Sequence, residues 1–246
     1  MKKLLLSLLL SISIYAGDVT LGGGEYFQTM PYKGVDTKYI PTPVVFFDNH
    51  IFYVRWSQVG VYFLGAKEDD FIWAFSITAQ PRPNGYNSSD SEYLAGMENR
   101  DSTIEGGLEF MIKKGDNRLH ILALTDLLNK HEAYLIKTEL ATKFKLKKLS
   151  FYPSVIGFYQ SSDFLDYYYG VQKKEVDTTI NRGYYKPNAG YQIALQTYIE
   201  YPITKKLSTL LNIRADRLSN EVTDSPIVDK NYYYSGMLSL IYTFDY

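Results

Sequence analysis

The chain contains no cysteine, which excludes disulfides, thiolate metal sites, a cysteine nucleophile and the lipid-bearing cysteine of a bacterial lipoprotein. Neither sign of charge is in excess, with 26 basic residues against 27 acidic ones, so the basic footprint needed to bind nucleic acid is missing. Histidine is scarce, at three residues. The sequence holds no G-x-S-x-G elbow, no H-E-x-x-H and no His/carboxylate cluster at metal spacing, and it predicts a non-enzymatic protein without cofactor or resident metal. Beyond Ile14 no apolar run approaches the roughly 20 residues of a spanning helix.

What is present is apolar content of 46% in 246 residues, enough to bury a core, and an outlying 24 tyrosines. Tyrosine concentrates where apolar surface meets water. Lys2-Lys3, the apolar run from Leu4 to Ile14 and the small Ala16 predict a signal peptide over 1–16, leaving 17–246 as one domain. Such a protein is either soluble outside the cytoplasm or a membrane β-barrel.

Periodicity separates the two. In Thr103–Lys113, Ile104, Leu108, Phe110 and Ile112 share one face, while Glu105, Glu109 and Lys113 share the other. The segments 133–145, 192–201 and 208–216 alternate in the same way, which is the period-two signature of strands. Several runs reach about 10 residues, the length of a tilted membrane strand rather than of a soluble one. Rings gather near their ends, at Phe71, Trp73, Tyr134, Phe144, Tyr191, Tyr201 and Tyr232–Tyr234, as interfacial girdles require. Strands are expected at 18–27, 38–47, 50–56, 59–65, 70–80, 102–113, 117–126, 133–145, 149–160, 189–201, 206–217 and 232–246. The expected fold is therefore a transmembrane antiparallel β-barrel of twelve strands with both termini periplasmic; the brevity of 50–56 and 59–65 leaves ten as the alternative. Short turns then alternate with the long stretches 81–101, 161–188 and 218–231, the asymmetry of an outer-membrane barrel. Gly22-Gly23-Gly24 is expected to mark a bulge or a close backbone approach. Leu238, Leu240, Tyr242, Phe244 and Tyr246 share one face of the last strand.

The opposite parity supplies the expected lumen lining: Arg55, Glu105, Glu109, Lys113, Arg118, His120, Asp126, Lys137, Glu139, Lys143, Glu200, Arg214 and Asp216. Six basic and six acidic groups balance there, which fits either a salt-bridged wall or a narrow polar pore. As a catalytic pair, His120 and Asp126 stand about 20 Å apart along a strand and Glu105 and Glu109 about 13 Å, too far for direct partnership. Glu68-Asp69-Asp70 is expected to be a solvated turn rather than a calcium loop.

Three sequence blocks resemble the MipA/OmpV family of outer-membrane proteins. They are Tyr93–Met97 followed by Asp101–Gly107; Tyr169-Gly170-Val171 followed by Tyr185–Gly190; and Arg217-Leu218 followed by Asp224–Val228. The charged insert Gln172–Arg182 follows no family pattern. The resemblance implies an outer-membrane location with lipid as partner. It also implies an envelope scaffold that joins a lytic transglycosylase to a penicillin-binding protein, in a family whose other members are connected with small-solute uptake and adhesion.

Overall fold

The computed structural model describes residues 19–83 and 85–244; the expected signal peptide and the terminal Tyr246 lie outside them. The strands run in chain order as β1 (Val19–Gln28), β2 (Lys38–Asp48), β3 (Phe52–Arg55), β4 (Gln58–Glu68), β5 (Phe71–Arg82), β6 (Thr103–Lys114) and β7 (Asn117–Asp126). They continue as β8 (Tyr134–Ala141), β9 (Phe144–Leu146), β10 (Leu149–Gln160), β11 (Gly190–Pro202), β12 (Leu207–Arg217) and β13 (Tyr232–Phe244). Each pairs antiparallel with its neighbours, and β13 returns to pair with β1 from Val19↔Phe244 to Gln28↔Ser235, so the sheet closes. β8 and β9 both pair with β10 and form one wall strand in two parts, so the 13 segments build a twelve-stranded barrel.

The division of β8 from β9 has a cause in the sequence. Thr142 N donates to Pro153 O at 3.1 Å, so the nitrogen of Pro153, which has no hydrogen, faces the same neighbour and the ladder lapses there. The expected third strand, 50–56, contracts to the four residues of β3, and β4 runs further than expected, through a bulge between Tyr62 and Leu64. The β3–β4 hairpin thus stops at Trp56-Ser57, below the outer rim.

Alternation carries the wall. On β6, Ile104 and Leu108 are 43% and 54% exposed while Glu105 and Glu109 are 1% exposed, an inversion of the soluble pattern that only a lipid surround makes favourable. On β13 the outward Leu238, Leu240, Tyr242 and Phe244 are all exposed. The glycine-rich β1 is a close approach: a Cβ on Gly24 would lie 2.2 Å from Leu238 O.

Turns on the periplasmic side are brief, with Asp69, Gly115 and Lys147 taking positive φ, and Glu68-Asp69-Asp70 is exposed there. The outer connections are long and ordered. Helix α1 (Ser162–Tyr169) starts at Ser161, whose Oγ accepts from Phe164 N, and a single turn, α2 (Asn220–Thr223), follows β12. From these loops Leu94, Met97, Phe164, Leu165, Val171 and Ile227, with Tyr32, Tyr86, Tyr168 and Tyr169, join one apolar cluster that reaches down to Leu122, Leu135 and Ile156 of the wall. The outer end of the barrel is filled by a core.

Candidate functional site: the lumen and its outer cap

The inward positions change character along each strand. On β7 they run Arg118, His120, Leu122, Leu124, Asp126 from the periplasmic end outward, with Leu122 and Leu124 at 1% and 2% exposure. On β8 they run Leu135, Lys137, Glu139 in the opposite sense. On the β7–β8–β10 side the outer half of the bore is thus packed with apolar side chains, and beside and below it lies a cavity of about 970 Å3 that reaches Gln80, Arg82 and Tyr233 near the outer strand ends.

Four charged groupings hold the lining. The largest centres on Glu109, 1% exposed, which accepts from Arg55 Nη1 at 3.0 Å, Ser76 Oγ at 3.1 Å, Gln58 Nε2 at 3.4 Å and the Tyr53 hydroxyl, and meets His120 Nδ1 at 2.6 Å. The local sequence makes room for it: Gly60 leaves space for the Tyr53 ring, since a Cβ there would lie 2.3 Å from Tyr53 Cζ. The Arg55 guanidinium sits 3.9 Å above that ring. In the second grouping Arg82 grips Glu105 through Nε and Nη2, both at 2.7 Å, and Gln80 joins at 3.2 Å. In the third, Arg214 binds Asp216 at 2.7 and 2.6 Å with Gln192 at 2.7 Å. Lys137–Glu139 at 2.8 Å is the fourth. Bidentate arginine pairs of this kind satisfy charges that burial would otherwise make costly.

Of the residues expected in the lumen, Arg55, Glu109, Arg118, His120, Lys137, Glu139, Glu200 and Arg214 line the cavity. Glu105, Asp126 and Asp216 are buried beside it. Asp126 is tied into the β7–β8 loop, accepting from the Thr103 hydroxyl, Leu128 N and His131 N. Lys143 lies 5.2 Å from the Tyr152 ring at the β8–β9 break, and Lys113 is exposed at the rim. Sequence reasoning missed Arg82, which flanking prolines disguise as loop but which ends β5, and the neutral partners Tyr53, Gln58, Ser76 and Gln192. The partner of His120 is Glu109 across the β6–β7 pair, not Asp126 along its own strand; only the register Met111↔His120 reveals this. Ser76 and His120 each bond to Glu109 rather than to one another, which is not the order that activates a nucleophile. Among the described residues no group of three His, Cys, Asp or Glu is placed to hold a metal.

Trp56, at the tip of the β3–β4 hairpin, has φ of 56°, an uncommon conformation for a bulky residue. It is held by Nε1 donating to Thr42 Oγ1 at 3.3 Å and by the Tyr26 ring 5.4 Å away, and it lines the cavity.

The cap has its own ionic lock. Arg100 Nη2 reaches both oxygens of Glu175 at 2.9 and 3.0 Å, and both residues are buried. Arg182 donates to the carbonyls of Tyr93, Ala95 and Glu175. The insert 172–182 is thereby sewn to the loop after β5. His131 lies 5.3 Å from the Phe164 ring and 5.6 Å from that of Tyr168, and burial pushes its imidazole below the usual range. Burial likewise holds the hydroxyls of Tyr32, Tyr168 and Tyr169 above theirs.

Comparison with known proteins places this geometry in a family. The chain is 25% identical over 221 residues to the putative outer membrane protein YiaT of Escherichia coli K12, covering 89% of this chain and 88% of that one. It is 28% identical over 232 residues to the MltA-interacting protein of Escherichia coli K12, covering 94% and 91%. It is also 28% identical to outer membrane protein OmpV of Vibrio cholerae over 144 residues, 58% of this chain and 55% of that one. Among solved structures, the NanC porin aligns over 93% of this chain and 100% of its own, at 11% identity and a TM-score of 0.44. Residues 21–244 match the family described as MltA-interacting protein MipA, and the chain belongs to that family of outer-membrane barrels.

Proposed function

We propose that this protein is a non-enzymatic scaffold of the outer membrane, presenting its periplasmic rim to murein-processing enzymes, with a lytic transglycosylase as first partner and a penicillin-binding synthase as second. The carrying observation is the apolar plug at the outer mouth on the β7–β8–β10 side: Leu122, Leu124, Leu135 and Ile156 are each at most 2% exposed beneath the loop core. A bore narrowed by a packed loop core suits a barrel that anchors and docks. The relative named MltA-interacting protein, matched over 94% of this chain, supports the choice of partner. The test is binding of the purified full-length protein, in detergent, to a purified lytic transglycosylase and to a bifunctional penicillin-binding protein. Saturable binding of the transglycosylase is expected; its absence under conditions where the barrel is folded overturns the scaffold.

A second reading, passage of small polar solutes, is favoured by the 970 Å3 cavity lined by charges of both signs and by the hairpin that ends at Trp56 inside it. It requires the cap to move, and conductance in planar bilayers decides it.

A further inference from the structure

The outward face of the barrel carries a concavity of about 880 Å3 on the side where β8 breaks from β9. An apolar row crosses six strands along the hydrogen-bond direction, Ile112–Leu119–Leu140–Val155–Leu195–Ala215, each residue the direct cross-strand partner of the next. All six line the groove. A convex barrel wall normally offers lipid no pocket; here the small residues Ala141 and Ser154, beside the interrupted ladder, line the groove and the lumen alike.

One end of the groove is cationic. Lys114 and Arg118 line it, next to the periplasmic turn at Gly115-Asp116. Arg118 has inward parity but stands at the periplasmic end of β7, where it borders both the groove and the cavity, and Lys113 opposite it in the β6–β7 register adds a third cation to this end of the barrel. Among the described residues none of Lys113, Lys114 and Arg118 has an ion pair, although every arginine deeper in the lumen has one. Asp70 and Asp116, in the adjoining turns, accept from Gly115 N and Lys143 N through their backbone carbonyls. An apolar trough at membrane depth that ends in unpaired cations at headgroup height matches one ligand chemistry.

We propose that the groove binds one anionic phospholipid of the periplasmic leaflet, with its acyl chains along the Ile112–Ala215 row and its phosphate between Lys114 and Arg118. Native mass spectrometry of the full-length protein in detergent, titrated with dioleoylphosphatidylglycerol or dioleoylphosphatidylcholine, tests it. Each cation near a headgroup is worth about fivefold, so the glycerol lipid is expected to be retained about 25-fold more tightly than the choline lipid. The double substitution Lys114→Ala with Arg118→Ala is expected to erase that preference. Leu195→Trp, which fills the trough without touching a charge, weakens retention of both lipids. Lys114→Ala alone, on an exposed side chain, gives about a fivefold loss and serves if the double variant fails to fold. Equal retention of the two lipids by the unaltered protein overturns the proposal, as does retention unchanged by the substitutions, or a groove occupied by a second copy of the chain as a dimer that Leu195→Trp dissociates.

Discussion

Two stretches of the bore share the same inward parity, yet along β7, β8 and β10 the periplasmic stretch is a polar network around a cavity and the outer stretch is an apolar core. Arg118 and His120 of β7 face the cavity, Leu122 borders both cavity and plug, and Leu124 faces the plug. The difference follows from what each half meets. The periplasmic stretch lines a cavity, so its charges are held by paired neighbours; the outer stretch on β7, β8 and β10 meets α1 and the loop tyrosines, so it is stabilised by burial of apolar area. One wall therefore supports two kinds of stability, and substitutions should separate them.

The greatest effect is expected in the cap. Glu175→Gln leaves Arg100 buried and unpaired, and breaking a buried pair in this way costs about 3–5 kcal/mol. Limited proteolysis should then cut within residues 161–189, while the barrel still shows heat-shifted mobility on gels. Glu109→Gln is the matching test in the lower half: Arg55 and His120 lose their shared carboxylate, and urea unfolding of the whole barrel should weaken by about 3 kcal/mol, with the cap as protease-resistant as before. A smaller loss, about 1 kcal/mol, is expected for Tyr53→Phe, which removes one hydrogen bond to that carboxylate and keeps the ring under Arg55.

The cap should also respond to pH through His131. Its folded value is depressed by burial, so the folded cap favours neutral imidazole. Stability is full above the ordinary value of 6.5 and declines as pH falls below it, because the opened loop takes up a proton that the folded one resists. Amide exchange in the 127–133 loop should therefore accelerate on acidification, and His131→Phe should flatten that dependence. At the small end, Lys174→Ala removes an exposed ion pair to Glu98, with side chains 65% and 62% exposed, and no measurable change is expected.

The wall was legible in the sequence because its parity is dictated by lipid on one side and water on the other. Most strand positions and the outward set on β13 follow from period two, and the alternation of short turns with long loops follows from the turn residues between the strands; the contraction of β3 and the split of β8 from β9 do not. Three further things were not legible, each for a physical reason. Pairing across strands needs register, so the bond of His120 to Glu109 was invisible while its distance from Asp126 was calculable. Arg82 lies between Pro81 and Pro83, which read as loop although an edge segment of strand tolerates proline. The cap has no periodicity at all: Tyr32, Tyr86 and the Tyr168-Tyr169 pair converge from three loops, and the insert 172–182, unlike any family block, proves to supply Glu175 and Arg182 to the lock that orders it.

The scaffold reading requires the loop core to occlude the outer mouth, and conductance of single molecules in planar bilayers measures that most directly. The intact protein should insert without current steps, and a variant with residues 163–187 replaced by a short Gly-Ser linker should open stable steps through the unplugged bore. Steps of the same size from both proteins would contradict the account.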